Sequence, residues 1–251
     1  MTAYAALTSA NVKAYVRERV TLFFTFLFPL FFLGIFGLIF ADQEVPDSGL
    51  PYINYIAPGV LSWGVGNAAV FAVAFTLVQW RRDDILRLIW RTPAGTGTVV
   101  AARATVALGV GLVQAGLFTG IALLPVFGLE PTSTWPLALP VLVCGIAAFL
   151  ALGLVLGVLA DTPEAVGALG NFVMVPMAFL SGAFYPMSMM PSWLGTVSRV
   201  LPLRYFNDGI ADALSGRATA GQTAADCAAL LAFAAVFGLL GVWRFRWSTT
   251  R

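Results

Sequence analysis

The chain of 251 residues is 59% hydrophobic and 10% charged, with a mean hydropathy of +0.88. Ordinary soluble domains carry about 45–50% apolar and about 25% charged residues, so this composition excludes a soluble enzyme, a disordered tail and a nucleic-acid module. Fourteen Lys and Arg against twelve Asp and Glu leave +2, too little for a polyanion-binding surface; without histidine there is no imidazole for a triad, a metal site or a proton relay.

The N-terminal stretch, residues 1–19, reads as an amphipathic helix. On a helical wheel Ala3, Tyr4, Leu7, Ala10, Ala14 and Tyr15 share one side, with Ser9, Lys13 and Arg17 opposite. Asn11 and Glu18 intrude on the apolar side. Tyr with Lys and Arg suits a helix lying in the membrane interface.

A bilayer core of about 30 Å needs about 20 apolar residues per helix. Six segments meet that length, at roughly 20–41, 55–78, 104–127, 137–160, 166–185 and 227–243. None alternates in polarity as barrel strands do, so the predicted fold is an all-α membrane protein with six transmembrane helices in a single domain. The first run is too long for a signal-peptide core and is expected to remain as the first span.

Between spans two and three lies a basic segment, roughly residues 80–98. Asp83 or Asp84 is placed to cap a short helix, and Pro93 stops it. Leu86, Ile89 and Trp90 fall at i, i+3 and i+4 and form a small apolar face flanked by Arg87 and Arg91. A loop needed only for topology has no use for such a stripe; the pattern suits docking onto a partner.

The stretch 184–226, after span five, stays apolar outside the predicted spans. From Pro191, the residues Trp193, Leu194, Val197, Val200 and Leu201 recur at helical spacing, and Pro186, Pro191 and Pro202 punctuate the segment. Short helices dipping back into the outer interface are expected there. Met187, Met189 and Met190 have no Cys or His beside them and read as gap-fillers rather than copper ligands.

Charge placement orients the bundle. With the N-terminus inside, only Arg199, Arg204 and Arg217 of the fourteen cations lie outside, and the first outer loop (Asp42, Glu44, Asp47) is acidic. Both termini are therefore expected in the cytoplasm.

Gly116/Gly120 and Gly153/Gly157 have the spacing that lets helix backbones approach closely. Cys144 lies well inside the fourth predicted span while Cys227 opens the sixth, a depth difference of ~10 Å at 1.5 Å per residue that argues against a disulfide. The two cysteines cannot make a zinc site by themselves. The span interiors carry almost no carboxylates, which disfavours ion-coupled transport. A P-loop needs a glycine-rich run before a lysine, and the only lysine, Lys13, has no glycine before it. Energy for any pumping must come from elsewhere.

Three features together resemble the transmembrane subunit of a type-2 ABC exporter, the family that includes daunorubicin-resistance permeases. These are the six-span plan with its interfacial helix, the run Ile85–Pro93, and the run after span five. That last run comprises Leu180-Ser181-Gly182-Ala183-Phe184-Tyr185-Pro186, Met190-Pro191-Ser192-Trp193-Leu194 and Leu201-Pro202-Leu203-Arg204-Tyr205. The resemblance implies a non-catalytic permease in a bacterial plasma membrane, paired with a second copy or a paralogue. It also implies two cytoplasmic ABC ATPase subunits that bind the ATP and Mg, and export of hydrophobic or amphipathic molecules among membrane lipids. Asp84, Leu86, Arg87, Ile89 and Trp90 would then couple to the ATPase, and Pro186, Pro191, Trp193, Leu194 and Val197 would form an outer gate. Export of a lipid-linked glycan fits the same plan. A membrane enzyme acting on lipid is the competing class, and it lacks a visible nucleophile–base pair.

Overall fold

Backbone amides have no water partners inside a bilayer, so an apolar chain satisfies them by winding into helices. The computed structural model describes residues 3–39, 52–83, 96–125, 127, 129, 132–185, 187 and 190–244, and every regular element among them is helical. Helix α1 (Ala3–Arg17) precedes α2 (Arg19–Leu22), which runs through a π-turn at Phe23–Leu27 into α3 (Phe28–Ile39). Then come α4 (Tyr52–Arg82), α5 (Thr96–Ala122) and, after a short 3-10 turn at Trp135–Leu137, α6 (Ala138–Leu159). The chain continues with α7 (Pro163–Leu180), α8 (Ser192–Ser198), α9 (Pro202–Ser215) and α10 (Ala220–Arg244). Among the described residues six stretches are long and apolar enough to cross a membrane: Arg19–Ile39, Tyr52–Arg82, Ala101–Ala122, Trp135–Leu159, Pro163–Leu180 and Ala220–Arg244. The all-α, six-span expectation holds.

Local chemistry sets several boundaries. The π-turn sits just ahead of Pro29, whose ring clashes with a carbonyl one turn back in a regular helix; the amide of Phe28 instead reaches the carbonyl of Phe23. At the start of α7 the Thr162 hydroxyl accepts from the Ala165 amide at 3.2 Å, with Pro163 in the first helical position. Helix α9 opens on Pro202 and ends at Gly216, whose φ of 81° is the left-handed cap that glycine adopts without strain.

Helix α6 is the centre of the bundle, packed between α4 and α10. Its glycines set the approach. A Cβ on Gly153 would overlap the Val70 carbonyl oxygen and lie 2.9 Å from the Val70 Cα. One on Gly157 would lie 3.0 Å from the Ala74 Cα, and one on Gly145 would lie 2.5 Å from the Phe206 ring. Ile56, Val60, Val70, Ile146, Phe149, Phe206 and Ile210 are fully buried along this seam.

Four expectations need correction. The Gly116/Gly120 pair packs against nothing among the described residues and is exposed, because it faces away from the bundle. Pro191–Leu201 is not one helix: α8 stops at Ser198, since Pro202 cannot continue it and Leu201 turns extended to precede the proline. The strongly amphipathic element is α9, which buries Leu203, Phe206, Ile210, Ala213 and Leu214 against α4, α6 and α10. The last span begins at Ala220 rather than 227, because the helix carries Gln222, Thr223 and Asp226 in its first turns. Cys227 is therefore about two turns into α10, as Cys144 is into α6, and the two thiols are near neighbours. The depth argument fails; both thiols are free.

Candidate functional site

The bundle has two ends with different polar chemistry. At the end bearing the N-terminus, α1 is tied across α5. The Tyr4 and Thr105 hydroxyls lie 2.7 Å apart, Arg103 Nη1 donates to Asn11 Oδ1 at 3.2 Å, and the Tyr15 hydroxyl donates to Thr25 Oγ1 at 2.7 Å. Burial raises the Tyr15 phenol above its usual pKa, partly opposed by the Thr25 bond, so it stays a neutral donor. Arg103 Nη2 also donates to the Ala72 carbonyl at 3.0 Å and to the Thr76 hydroxyl.

Arg81, 9% exposed, closes the same end. Its Nη2 donates to the carbonyls of Gly157 and of Ala160, the latter at 2.8 Å. The last carbonyls of a helix lack intrahelical partners and carry partial negative charge, so a cation there completes α6. Arg81 thereby fixes the end of α4 against the end of α6, immediately before the segment expected to dock. Asp84, Leu86, Arg87, Ile89 and Trp90 lie outside the described residues, as do Pro186 and Met189.

The opposite end is plugged by the turn after α7. Ser181 and Ala183 are fully buried and Phe184 is 7% exposed. The Phe184 ring lies 5.2 Å from Trp63, 5.6 Å from Phe179, 6.0 Å from Phe32 and 6.1 Å from Phe36, centroid to centroid. Tyrosines at the start of α4 hold the turn's carbonyls. Tyr52 donates to Phe184 at 3.3 Å, and Tyr55 donates to Tyr185 at 2.9 Å and to Gly182. Gly182 has a φ of 81°, and Gly59 lets the Ala183 backbone lie against α4 where any side chain would collide.

Helix α8 packs against α7. Pro191 flanks its start, Trp193 is 63% exposed, and Leu194 and Val197 are half-buried. Arg204 fastens α8 to α9: Nη1 donates to the Gly195 carbonyl at 3.1 Å and to the Ser198 hydroxyl, while Nε pairs with Asp208 at 3.3 Å. Burial pushes the Asp208 carboxyl up to about 6; Arg204 opposes that rise, and Asp212 and Asp226 add to it. Asp212 is paired with Arg217 at 3.0 Å.

Sequence reasoning counted Arg81 and Arg103 only as topology charges, and Arg204 as a topology charge within the run Leu201–Tyr205. It missed Tyr55, which had no partner in the sequence until the turn after α7 was folded back. It also missed Gln114 and Trp63, which are 2% and 7% exposed and hold side-chain polar atoms with no hydrogen-bond partner. A glutamine in the middle of an apolar run was the available signal. Among the described residues no three His, Cys, Asp or Glu side chains converge on a metal site. The described helices thus have one end closed by the turn after α7 and the other braced by Arg81 and Arg103.

These features define a multi-pass α-helical membrane protein. The chain belongs to the ABC-2 type transporter family, whose pattern matches residues 2–214. It is 26% identical over 183 residues to the inner membrane transport permease YadH of Escherichia coli strain K12, covering 72% of this chain and 69% of the relative. It is 28% identical over 239 residues to nodulation protein J of Sinorhizobium fredii, covering 93% and 84%. A shorter likeness, 26% over 95 residues, covers 38% of this chain and 25% of the linearmycin resistance permease protein LnrN of Bacillus subtilis.

Proposed function

We propose that this chain is the membrane-spanning half of an ATP-driven exporter in a bacterial plasma membrane, moving hydrophobic or amphipathic molecules outward with its termini in the cytoplasm. The observation that carries this reading is the family match over residues 2–214 on a chain with no phosphate cradle of its own. Two cytoplasmic ATPase subunits supply the work and a second permease copy or paralogue completes the passage. Closure of the ATPases passes through residues 82–92, where Leu86, Ile89 and Trp90 anchor, Arg87 makes a salt bridge and Asp84 caps. Arg81 carries that movement into α4 and α6. At the far end Pro186, Pro191, Trp193, Leu194 and Val197 belong to the outer gate. A drug-like cargo is supported by the resistance permease among the relatives, while a lipid-linked glycan is the second reading, because the same six-span plan fits it.

Reconstitution of the permease with a candidate partner ABC ATPase tests this. Hydrolysis should require both chains and rise with the transported molecule, screened among amphipathic drugs and lipid-linked glycans. ATP turnover by the homogeneous permease alone would overturn the proposal.

A further inference from the structure

At mid-span the exposed side chains of α3, α5 and α10 are apolar, among them Phe31, Val113 and Leu239. Helix α7 differs. Asn171 lies about 12 Å from its start and about 14 Å from its end at 1.5 Å per residue. Its side chain is exposed, with exposed Ala168 and Val175 one turn to either side. No hydrogen bond from another described residue satisfies its amide.

The adjoining helix carries a second such amide. Asn67, halfway along α4, is half-buried and equally unpartnered among the described residues. The two helices touch where a Cβ on Gly170 would overlap the Phe71 ring. Asn67 is one turn from that contact and Asn171 one residue from it, so both amides belong to the α4–α7 side of the bundle.

Hydrocarbon offers an amide neither donor nor acceptor, so an uncovered asparagine at this depth is costly. The outward faces of α3, α5 and α10 suit lipid; that of α7 suits a polar partner. An asparagine amide both donates and accepts, and is therefore complementary to itself. A twofold axis along the membrane normal brings the same residue of two parallel helices together at one depth. Ala168 is small enough for close approach there, and Val175 and Phe179 continue the face towards the plug.

We propose that α7 packs against α7 of a second copy along Ala168, Asn171, Val175 and Phe179, with the two Asn171 amides hydrogen-bonded across the twofold axis. The inference rests on the reading that a second copy completes the passage, and it assigns the surface. The amide pair fixes the register of the two copies, as a single buried polar pair does between coiled helices.

The test uses the full chain in vesicles of phosphatidylethanolamine and phosphatidylglycerol, with Cys144→Ala and Cys227→Ala as background. Copper phenanthroline and oxygen oxidise thiols that meet, read as covalent dimer on non-reducing gels. Asn171→Cys and Val175→Cys should give dimer, and Leu239→Cys, on the lipid face of α10, should not. Asn171→Leu should weaken association about tenfold, the upper range for an interhelical amide pair, in dilution-dependent energy transfer between copies labelled at the C-terminus. Asn171→Gln should keep most of the affinity. Dimer through Leu239→Cys but through neither α7 position would overturn the surface and leave the dimer standing. Monomers at every dilution would overturn both. Unchanged affinity in Asn171→Leu, with Val175→Cys still forming dimer, would turn the amide towards cargo and equally overturn the pairing.

Discussion

Gly153→Ala adds one methyl group at the tightest backbone contact between α4 and α6. The new carbon would overlap the Val70 carbonyl oxygen and come within 2.9 Å of the Val70 Cα and 3.0 Å of its carbonyl carbon. Helix backbone cannot yield as a flexible side chain does, so α6 must move off α4. Overpacking of this kind costs typically 1–3 kcal/mol, while the helix propensity gained by replacing glycine is at most about 1 kcal/mol. A net loss of about 1–2 kcal/mol is expected. Gly116→Ala is the control: the same change, at the same spacing from a second glycine, meets nothing within 4 Å and should be neutral or slightly stabilising. Reversible unfolding in mixed dodecyl sulfate and dodecyl maltoside micelles measures both. Wild-type stability for Gly153→Ala would refute the close approach of α4 and α6.

Arg81→Leu removes donors to the Gly157 and Ala160 carbonyls; hydrogen bonds to charged groups contribute about 1.5–3 kcal/mol, so a loss near 2 kcal/mol is expected in the same unfolding assay, partly restored by Arg81→Lys. Asp208 holds its proton more firmly folded, at about 6, than at its ordinary 3.8. Its contribution to stability therefore falls as pH rises from about 4 to about 6 and is level above; Asp208→Asn should flatten that slope in unfolding measured across the range. Trp90→Ala should weaken ATPase co-purification about thirtyfold, or ~2 kcal/mol, if the aromatic is the docking anchor, and full assembly would count against it. Leu194→Asp should abolish export while leaving the ATPase complex assembled, because α8 would lose its grip on the plug; normal export would make α8 a solvated loop.

The number of spans was legible because hydropathy is a property of each segment alone, whereas partnership between segments is not. The two glycine pairs are identical in pattern and opposite in environment. Helix α9 was hidden for a related reason: Arg204, Asn207, Asp208 and Asp212 dilute its hydropathy, although Leu203, Phe206, Ile210, Ala213 and Leu214 repeat at helical spacing and bury one face. The polar start of α10 misled by the same averaging, and the depth of Cys227 with it. Of the residues expected to form the outer gate, Leu194 and Val197 are half-buried and Trp193 is mostly exposed. The contribution of Tyr55 depends on carbonyls 127 and 130 residues along the chain, which no local pattern encodes, whereas the Arg204–Asp208 pair has the i,i+4 spacing of a helix face.

The thiol pair of Cys144 and Cys227 gives the molecule a native distance gauge. The two helices that carry it run in the same direction, side by side, and the residues sit at matching depth. A lipid-permeant dithiol reagent such as an arsenoxide bridges the pair only while α6 and α10 stay together. If the bridged protein still completes its cycle, α6 and α10 travel as one rigid body, and the passage must open by displacement of helices that lean on that body from outside. If bridging arrests the cycle, the seam between them is itself the hinge.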